Sequence, residues 1–339
     1  MDESGWHRAE FPESPRGSVA CKQVPTATLT TVTRGPLGAV RRPTGFFTGA
    51  VYDADGRLVR RSQRLGGLGG AQRVAADANR LGPLTVEPER LAGHWMYGGH
   101  WFRHFGHFFT ETITTLWPEP PADCDGLVFH AYYRETPPPD SWQPDLLELA
   151  GYGGLPIRLV QHTPMVVEQL TVPSRPVVLN GWAHPEAALV WDRVVTAAGG
   201  PATGTERLFL SRSKFEAEGG NPIREARTSA EWNAGLDAAF TERGFEVVHP
   251  QDLSVRDQVR LVAGAGMLAG SAGTALHLAA FGPGGRRVLE VGDARLPESM
   301  NPMQRVINAA RDHEQAFVPY GDIDDLRRRL DLLLQRAQR

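Results

Sequence analysis

The sequence predicts an α/β protein of two domains, and three observations carry that expectation. The chain has 339 residues, room for about two domains of roughly 100–200 residues each. Apolar residues make up 41% and charged residues 22%, the balance of a globular protein. In the second half, short apolar runs alternate with helix signals, the pattern of parallel strands joined by crossover helices. Lys and Arg number 36 against 39 Asp and Glu, a net charge of -3, so no basic field points to nucleic acid. Cys21 and Cys124 are too few for a disulfide framework or a cysteine-based zinc site, which fits a reducing compartment. No apolar run approaches the length of about 18 residues that a membrane span needs. The polar, proline-bearing stretch 1–16 also lacks the apolar core of a secretory signal. The expected location is the cytoplasm; peripheral membrane contact and homo-oligomer formation stay open.

Taken in order, residues 1–45 mix Pro, Gly, Ser and Thr without a sustained period and read as an irregular arm or an irregular strand-and-loop lead-in. Residues 46–180 read as a mixed α/β domain. There, Asp53-Ala-Asp55-Gly56 lies between two short β-like runs and signals a hairpin. Beyond the Gly-, His- and Trp-rich stretch 93–102, residues 105–117 carry the apolar and aromatic side chains of a buried helix stopped by Pro118. Strands are expected at 126–133, 157–160 and 165–172, with a helix at 144–150. Pro173, Pro176 and Pro185 with Asn180-Gly181 mark a connector, which puts the domain boundary near residue 180.

Residues 181–321 then alternate regularly. A helix at 186–198 leads to a strand at 207–211 and a loop through Gly219-Gly220-Asn221-Pro222. Thr228 with Glu231 fits a capping box opening the next helix, and Gly244 suits its stop. A strand at 245–249, a helix from Ser254 to about 265 and a strand at 267–270 follow. The turn at Ser271 to Thr274 opens a helix ending near Phe281, and 287–291 is the next strand. Residues 322–339 form a closing helix that sets Ile323, Leu326, Leu330 and Leu333 on one stripe packed back on the body.

Three local features could carry chemistry. In Met267-Leu-Ala-Gly-Ser-Ala-Gly-Thr-Ala-Leu-His277, small residues link a strand to a helix. Ligands of open α/β sheets sit at that edge, and helix-start amides suit a phosphate. Gly270, Ser271, Gly273 and Thr274 are the candidates, the alternative being a tight turn that needs glycine for packing. Ser211-Arg212-Ser213-Lys214 leaves the same edge; Arg212 can fork two phosphate oxygens and Lys214 offers a compact charge. Only Lys22 and Lys214 are lysines, although a solvated pair would explain them equally. Glu290 on the last strand could accept from a ribose or serve in an ion pair. Third, His107 and Glu111 lie one helical turn apart, so the carboxylate could orient the imidazole as a base for an acceptor hydroxyl, or the pair could be a buried structural one. A helix covering the whole stretch would add His100 and His104 to one face as metal ligands, but Gly98, Gly99 and Gly106 oppose it and the HExxH order is missing.

At these residues the chain resembles the glycosyltransferase 61 family. The carriers are His104-Phe-Gly-His107-Phe-Phe-Thr-Glu111, Leu210-Ser-Arg-Ser-Lys214, Arg227, Gly244-Phe-Glu-Val-Val-His-Pro250 with Leu253-Ser and Gln258, and Gly270-Ser-Ala-Gly-Thr-Ala-Leu-His-Leu278. The resemblance implies a GT-B-like fold, two Rossmann-like domains facing a cleft, with an acceptor-side first half and a nucleotide-sugar-binding second half. It implies inverting, metal-independent transfer with no tightly bound cofactor; the co-substrate is a nucleotide sugar, UDP- or GDP-linked, and the acceptor is of carbohydrate type. Carried over, Arg212, Arg227 and the Gly270 to Thr274 turn lie around the donor diphosphate, with His107 and Glu111 near the cleft. His277 falls within the same motif and joins the donor-binding set, to which Lys214 and Glu290 are added on physical grounds. The chain departs from the family at Ala272, where many members have histidine, and at Thr228, where asparagine is common. A catalytically silent carbohydrate- or nucleotide-binding relative, or another Rossmann-like transferase using an adenosyl cofactor, are the alternatives. The second half lacks a GxGxxG loop, which disfavours the latter.

Overall fold

The structure is a computed structural model that describes residues 5–32, 49–66, 72–73, 79–131, 142–217 and 228–337. It divides into two compact units, Glu13–Arg193 and a second formed by Met1–Pro12 with Val194–Arg339. Each holds a six-stranded mixed sheet, so the chain is α/β.

In the Glu13–Arg193 unit the strand order is Val51–Tyr52, Cys21–Leu29, Met165–Pro173, Glu89–Trp101, Cys124–Ala131, Ile157–Val160. The last four run parallel, and Cys21–Leu29 pairs antiparallel with both its neighbours. Val24, Leu29, Tyr97, Val128, Val167 and Leu170 are among the residues of its core. The lead-in expected to be irregular thus contributes a nine-residue strand. Pro25 hid it from sequence inspection, because proline cannot donate to a ladder. Here the Val51–Tyr52 neighbour pairs with Thr28 and Leu29, so among the described residues Pro25 has no ladder partner on that side of the strand. The Asp53 to Gly56 turn forms as expected, with Gly56 N–H donating to the Asp53 carbonyl at 2.8 Å and Gly56 at φ 71°.

The helix expected at 105–117 runs from 105 to 115 and carries a π turn at Phe108–Thr112. It buries Phe108, Phe109 and Ile113. The proline-bearing connector makes a small hairpin, Val177–Val178 against Trp182–Ala183, with Asn180 at φ 60°.

In the other unit the order is His7–Arg8, Glu314–Val318, Arg287–Val291, Met267–Ser271, Arg207–Leu210, Glu246–Val248. All neighbours are parallel except the His7–Arg8 edge. One core cluster gathers Phe209, Leu236, Phe240, Ala269, Leu289 and Val318 with Leu326, Leu330 and Leu334 of the closing helix Ile323–Arg336. Ser254 caps its helix by accepting from Asp257 N–H, and Gly244 at φ 74° follows the end of Ala230–Thr241.

The expected capping box is displaced by one residue. Ser229 is the cap, accepting from Trp232 N–H at 3.1 Å, while Thr228 donates to Asn233 Oδ1. Helix Pro302–Ala310 and strand Glu314–Val318 were not anticipated. Asn301-Pro302 is a sound helix start, but buried Gln304 and Asn308 interrupt the apolar stripe that would have announced the helix.

Candidate active site

The helix of residues 105–115 follows the Glu89–Trp101 strand closely and sets His107 one turn before Glu111. His107 Nδ1 lies 2.6 Å from Glu111 Oε1. Glu111 is buried, and Arg64 grips it from the far side: Nε donates to Oε2 at 2.6 Å and Nη2 to Oε1 at 2.7 Å. Arg64 also lies over the Phe102 ring, 4.8 Å from its centroid. Burial alone would push the Glu111 carboxyl up. The Arg64 charge and its hydrogen bonds outweigh that, with His107 adding to them, and hold it far below the usual carboxylate range.

An ionised carboxylate only accepts hydrogen bonds, so His107 donates through Nδ1, and a neutral imidazole in that position carries its lone pair on Nε2. The His107 side chain is 37% exposed against 2% for Glu111, which leaves His107 as the member of the pair that can meet a substrate. Of the two base candidates, the geometry favours the histidine and makes the carboxylate its orienter.

A four-residue metal face does not form. His100 belongs to the Glu89–Trp101 strand, not to the helix, and its Nδ1 accepts from Arg175 Nη2. Among the described residues, no group of three or more His, Cys, Asp or Glu is arranged to hold a metal ion. Burial and the neighbouring Arg175 push both His100 and His130 down, His130 to about 3. Tyr97 Oη and His130 Nδ1 are 2.8 Å apart.

In the Val194–Arg339 unit, Gly270 lies in register between Leu210 and Glu290. The segments leaving Leu210, Ser271 and Val291 therefore share one carboxyl edge. Ser211 is buried and accepts from Ser213 N–H, and Ser213 donates to Asp237. The Arg212 guanidinium lies 5.2 Å from the Phe215 ring centroid. Lys214 pairs with Asp252 at the surface, so its charge is shared with a carboxylate rather than held out for a ligand. Arg227 lies outside the described residues.

At the small-residue turn, Ala272 N–H donates to Val291 O at 2.7 Å and Gly273 adopts φ 145°, a conformation that L side chains rarely adopt. Gly270 is a packing glycine as well: a Cβ there would sit 3.3 Å from Leu210 O and 3.4 Å from Leu276 Cδ1. The helix that starts at Thr274 is a single turn, Thr274–His277, continued by the 3₁₀ segment Leu278–Phe281. A dipole summed over so few peptides is small, so helix polarity contributes less at this turn than the sequence reading assumed.

Two candidates meet the first turn of Pro302–Ala310. His277 Nδ1 lies 2.8 Å from Gln304 Oε1. Glu290 is fully buried, and its Oε1 accepts from Asn301 N–H at 2.7 Å while its buried Oε2 has no partner among the described residues. Burial pushes the Glu290 carboxyl up to about 8; the Asn301 amide lowers it and Asp293 raises it. At neutral pH it is chiefly a neutral acid. Sequence reasoning did not single out Arg64, Asn301 or Gln304. The Asn-Pro helix start was a usable signal for Asn301, whereas nothing local distinguishes Arg64 from Arg60 and Arg61.

A family model described as Glycosyltransferase 61 matches residues 105–289, more than half of the chain. The match begins at the helix bearing His107 and ends one residue before Glu290. No curated protein matches the sequence.

Proposed function

Because this chain belongs to the glycosyltransferase 61 family, we propose that it transfers a sugar from a nucleoside-diphosphate donor to a hydroxyl of a glycan, glycolipid or glycosylated metabolite. In this reading the Glu13–Arg193 unit serves the acceptor and the Val194–Arg339 unit the donor, the division of labour of a GT-B fold. The reaction is inverting and metal-independent. The cytoplasm is the compartment assigned, consistent with the free thiols of Cys21 and Cys124. Among the described residues, no helix is long and apolar enough to cross a membrane.

The observation that carries the chemical step is the chain Arg64–Glu111–His107. His107 Nε2 takes the proton of the acceptor hydroxyl as that oxygen attacks the anomeric carbon. The bond from that carbon to the diphosphate oxygen breaks, and its electron pair leaves with the nucleoside diphosphate. Glu111 holds the ring in its basic tautomer and stabilises the imidazolium that forms. Arg212 and Arg227, with the Gly270 to Thr274 turn, balance the charge developing on the leaving group.

Thermal unfolding against UDP, GDP, CDP, TDP, ADP and S-adenosylhomocysteine tests the reading. A ligand at 100 times its Kd adds about 2.7 kcal/mol of stability. A shift with one nucleoside diphosphate that is lost in Arg212→Ala supports the donor site. A shift with the adenosyl compound alone refutes it, and donor binding without transfer identifies a catalytically silent relative.

A further inference from the structure

Two side chains of one helix hold the backbone that carries His107 and Glu111. Within the Glu13–Arg193 unit, Trp191 and Arg193 both leave the helix Pro185–Ala197 toward carbonyls of the 105–117 segment. Trp191 is fully buried and its Nε1 donates to Phe109 O at 3.1 Å. Arg193 Nη2 donates to Trp117 O at 3.0 Å. A buried indole N–H needs an acceptor. A carbonyl inside a helix is an uncommon choice, because the amide four residues on ordinarily takes it.

For Phe109 that amide belongs to Ile113, and it has gone elsewhere. Ile113 N–H donates to Phe108 O, five residues back, which is the bond that makes Phe108–Thr112 a π turn. A turn closed on the fifth residue is wider and winds fewer degrees per residue than an α turn, so it sets Glu111 at a different angle about the helix axis from His107. In that setting Glu111 Oε1 lies 2.6 Å from His107 Nδ1 while Arg64, from another segment, holds the same carboxylate. Thr112 is fastened too, its Oγ1 donating to His100 O at 2.7 Å. In an α turn the Ile113 amide would return to Phe109 O, and Glu111 would rotate relative to both His107 and Arg64.

We propose that Trp191 is a positioning residue for the candidate base: by taking the Phe109 carbonyl, its indole N–H fixes the π turn that sets Glu111 against His107. This rests on the reading of His107 as the base for the acceptor hydroxyl and deepens it. Trp191 acts through the backbone and touches no reacting atom.

Imidazole nitrogen shifts of ¹⁵N-histidine-labelled protein read the pair directly, with the His107 signals assigned by their loss in His107→Ala. In wild type the neutral His107 ring should carry its proton on Nδ1. Benzothienylalanine at position 191, which has the shape of tryptophan with sulfur in place of the N–H, should lower the Nδ1–H fraction, and Trp191→Phe should do the same. Both should slow turnover of UDP- or GDP-sugars, followed as released nucleoside diphosphate, by about 10- to 100-fold, with UDP and GDP binding unchanged. Val190→Ala removes fully buried apolar atoms from the same helix but no donor; it should lower the melting temperature and leave the His107 shifts as they are. Wild-type shifts in the benzothienylalanine protein, or equal changes in Val190→Ala, overturn the proposal and leave Trp191 a packing residue. Undiminished turnover in His107→Ala overturns the base reading instead, while the nitrogen shifts still decide whether Trp191 sets the pair.

Discussion

Replacing Glu290 by Gln should stabilise the protein at neutral pH and leave it unchanged in mild acid. The carboxyl is fully buried, with Oε1 on the Asn301 amide and Oε2 unpartnered, and burial raises it from its ordinary value of 4.5 to about 8. Between those values the unfolded chain has released the proton that the folded chain still holds, so stability falls as pH rises through that window. At about 1.4 kcal/mol per unit, keeping the acid neutral costs about 3 kcal/mol by pH 7. Glutamine cannot ionise, keeps an oxygen for the Asn301 amide and matches the acid in shape, so it removes that cost. At roughly 2–4 °C per kcal/mol, Gln should melt about 6–12 °C above wild type at pH 7. Near pH 4.5 the two should coincide. Thermal unfolding of both proteins from pH 4.5 to 8 reads the difference directly. An offset that does not change with pH, or a Gln variant that melts lower at pH 8, would show that Glu290 is ionised in the fold and refute the reasoning.

Other perturbations have equally definite outcomes. Arg64→Ala leaves Glu111 buried without its cation and should cost about 3–5 kcal/mol in urea unfolding, whereas Arg64→Leu with Glu111→Leu should cost less than Arg64→Ala alone; near-additive losses would argue against a coupled pair. His130 and His313 are held down to about 3 and about 4, mainly by burial. The unfolded chain takes up their protons first, so stability should fall as pH drops below about 6.5, by about 2 kcal/mol per histidine at pH 5, and His130→Phe should flatten the slope of urea midpoint against pH. Arg193 donates to the carbonyls of Ala150 and Trp117 at 3.0 Å, closing the ends of two helical segments. Arg193→Ala should lower stability by about 1.5–3 kcal/mol, and an unchanged melting temperature would show those carbonyls to be satisfied by water.

Legibility varied with the range of the forces involved. The strands Ile157–Val160 and Arg287–Val291 were placed to the residue, because a run of apolar side chains bounded by turn signals is a local property. The Ser254 cap and the Gly244 stop were read correctly for the same reason. Thr228 was preferred to its neighbour Ser229 because two adjacent hydroxyl residues offer the same chemistry, and only the backbone path decides which one reaches the amide. Strand Cys21–Leu29 was hidden by Pro25, whose missing N–H is harmless only because the pairing partner on that side is two residues long. At the site, the pairing of His107 with Glu111 followed from helical spacing, and the motifs of the Arg212 and Gly270 to Thr274 segments were visible as sequence.

By itself, then, the sequence determined the α/β class, the alternation of strands and helices, the family, and the residue types that could do the chemistry, since all of these depend on composition and on spacing within a few residues. Only the tertiary structure decided which of those residues are in a state to act. Arg64 lies 47 positions before Glu111 and holds its buried carboxylate ionised. Gln304 lies 27 positions after His277 and meets its Nδ1. Asn301 takes one oxygen of Glu290 while burial pushes the carboxyl up to about 8. Protonation and tautomer depend on burial and on the charge a few ångströms away, and the chain brings those groups together from positions too far apart for any local pattern to record.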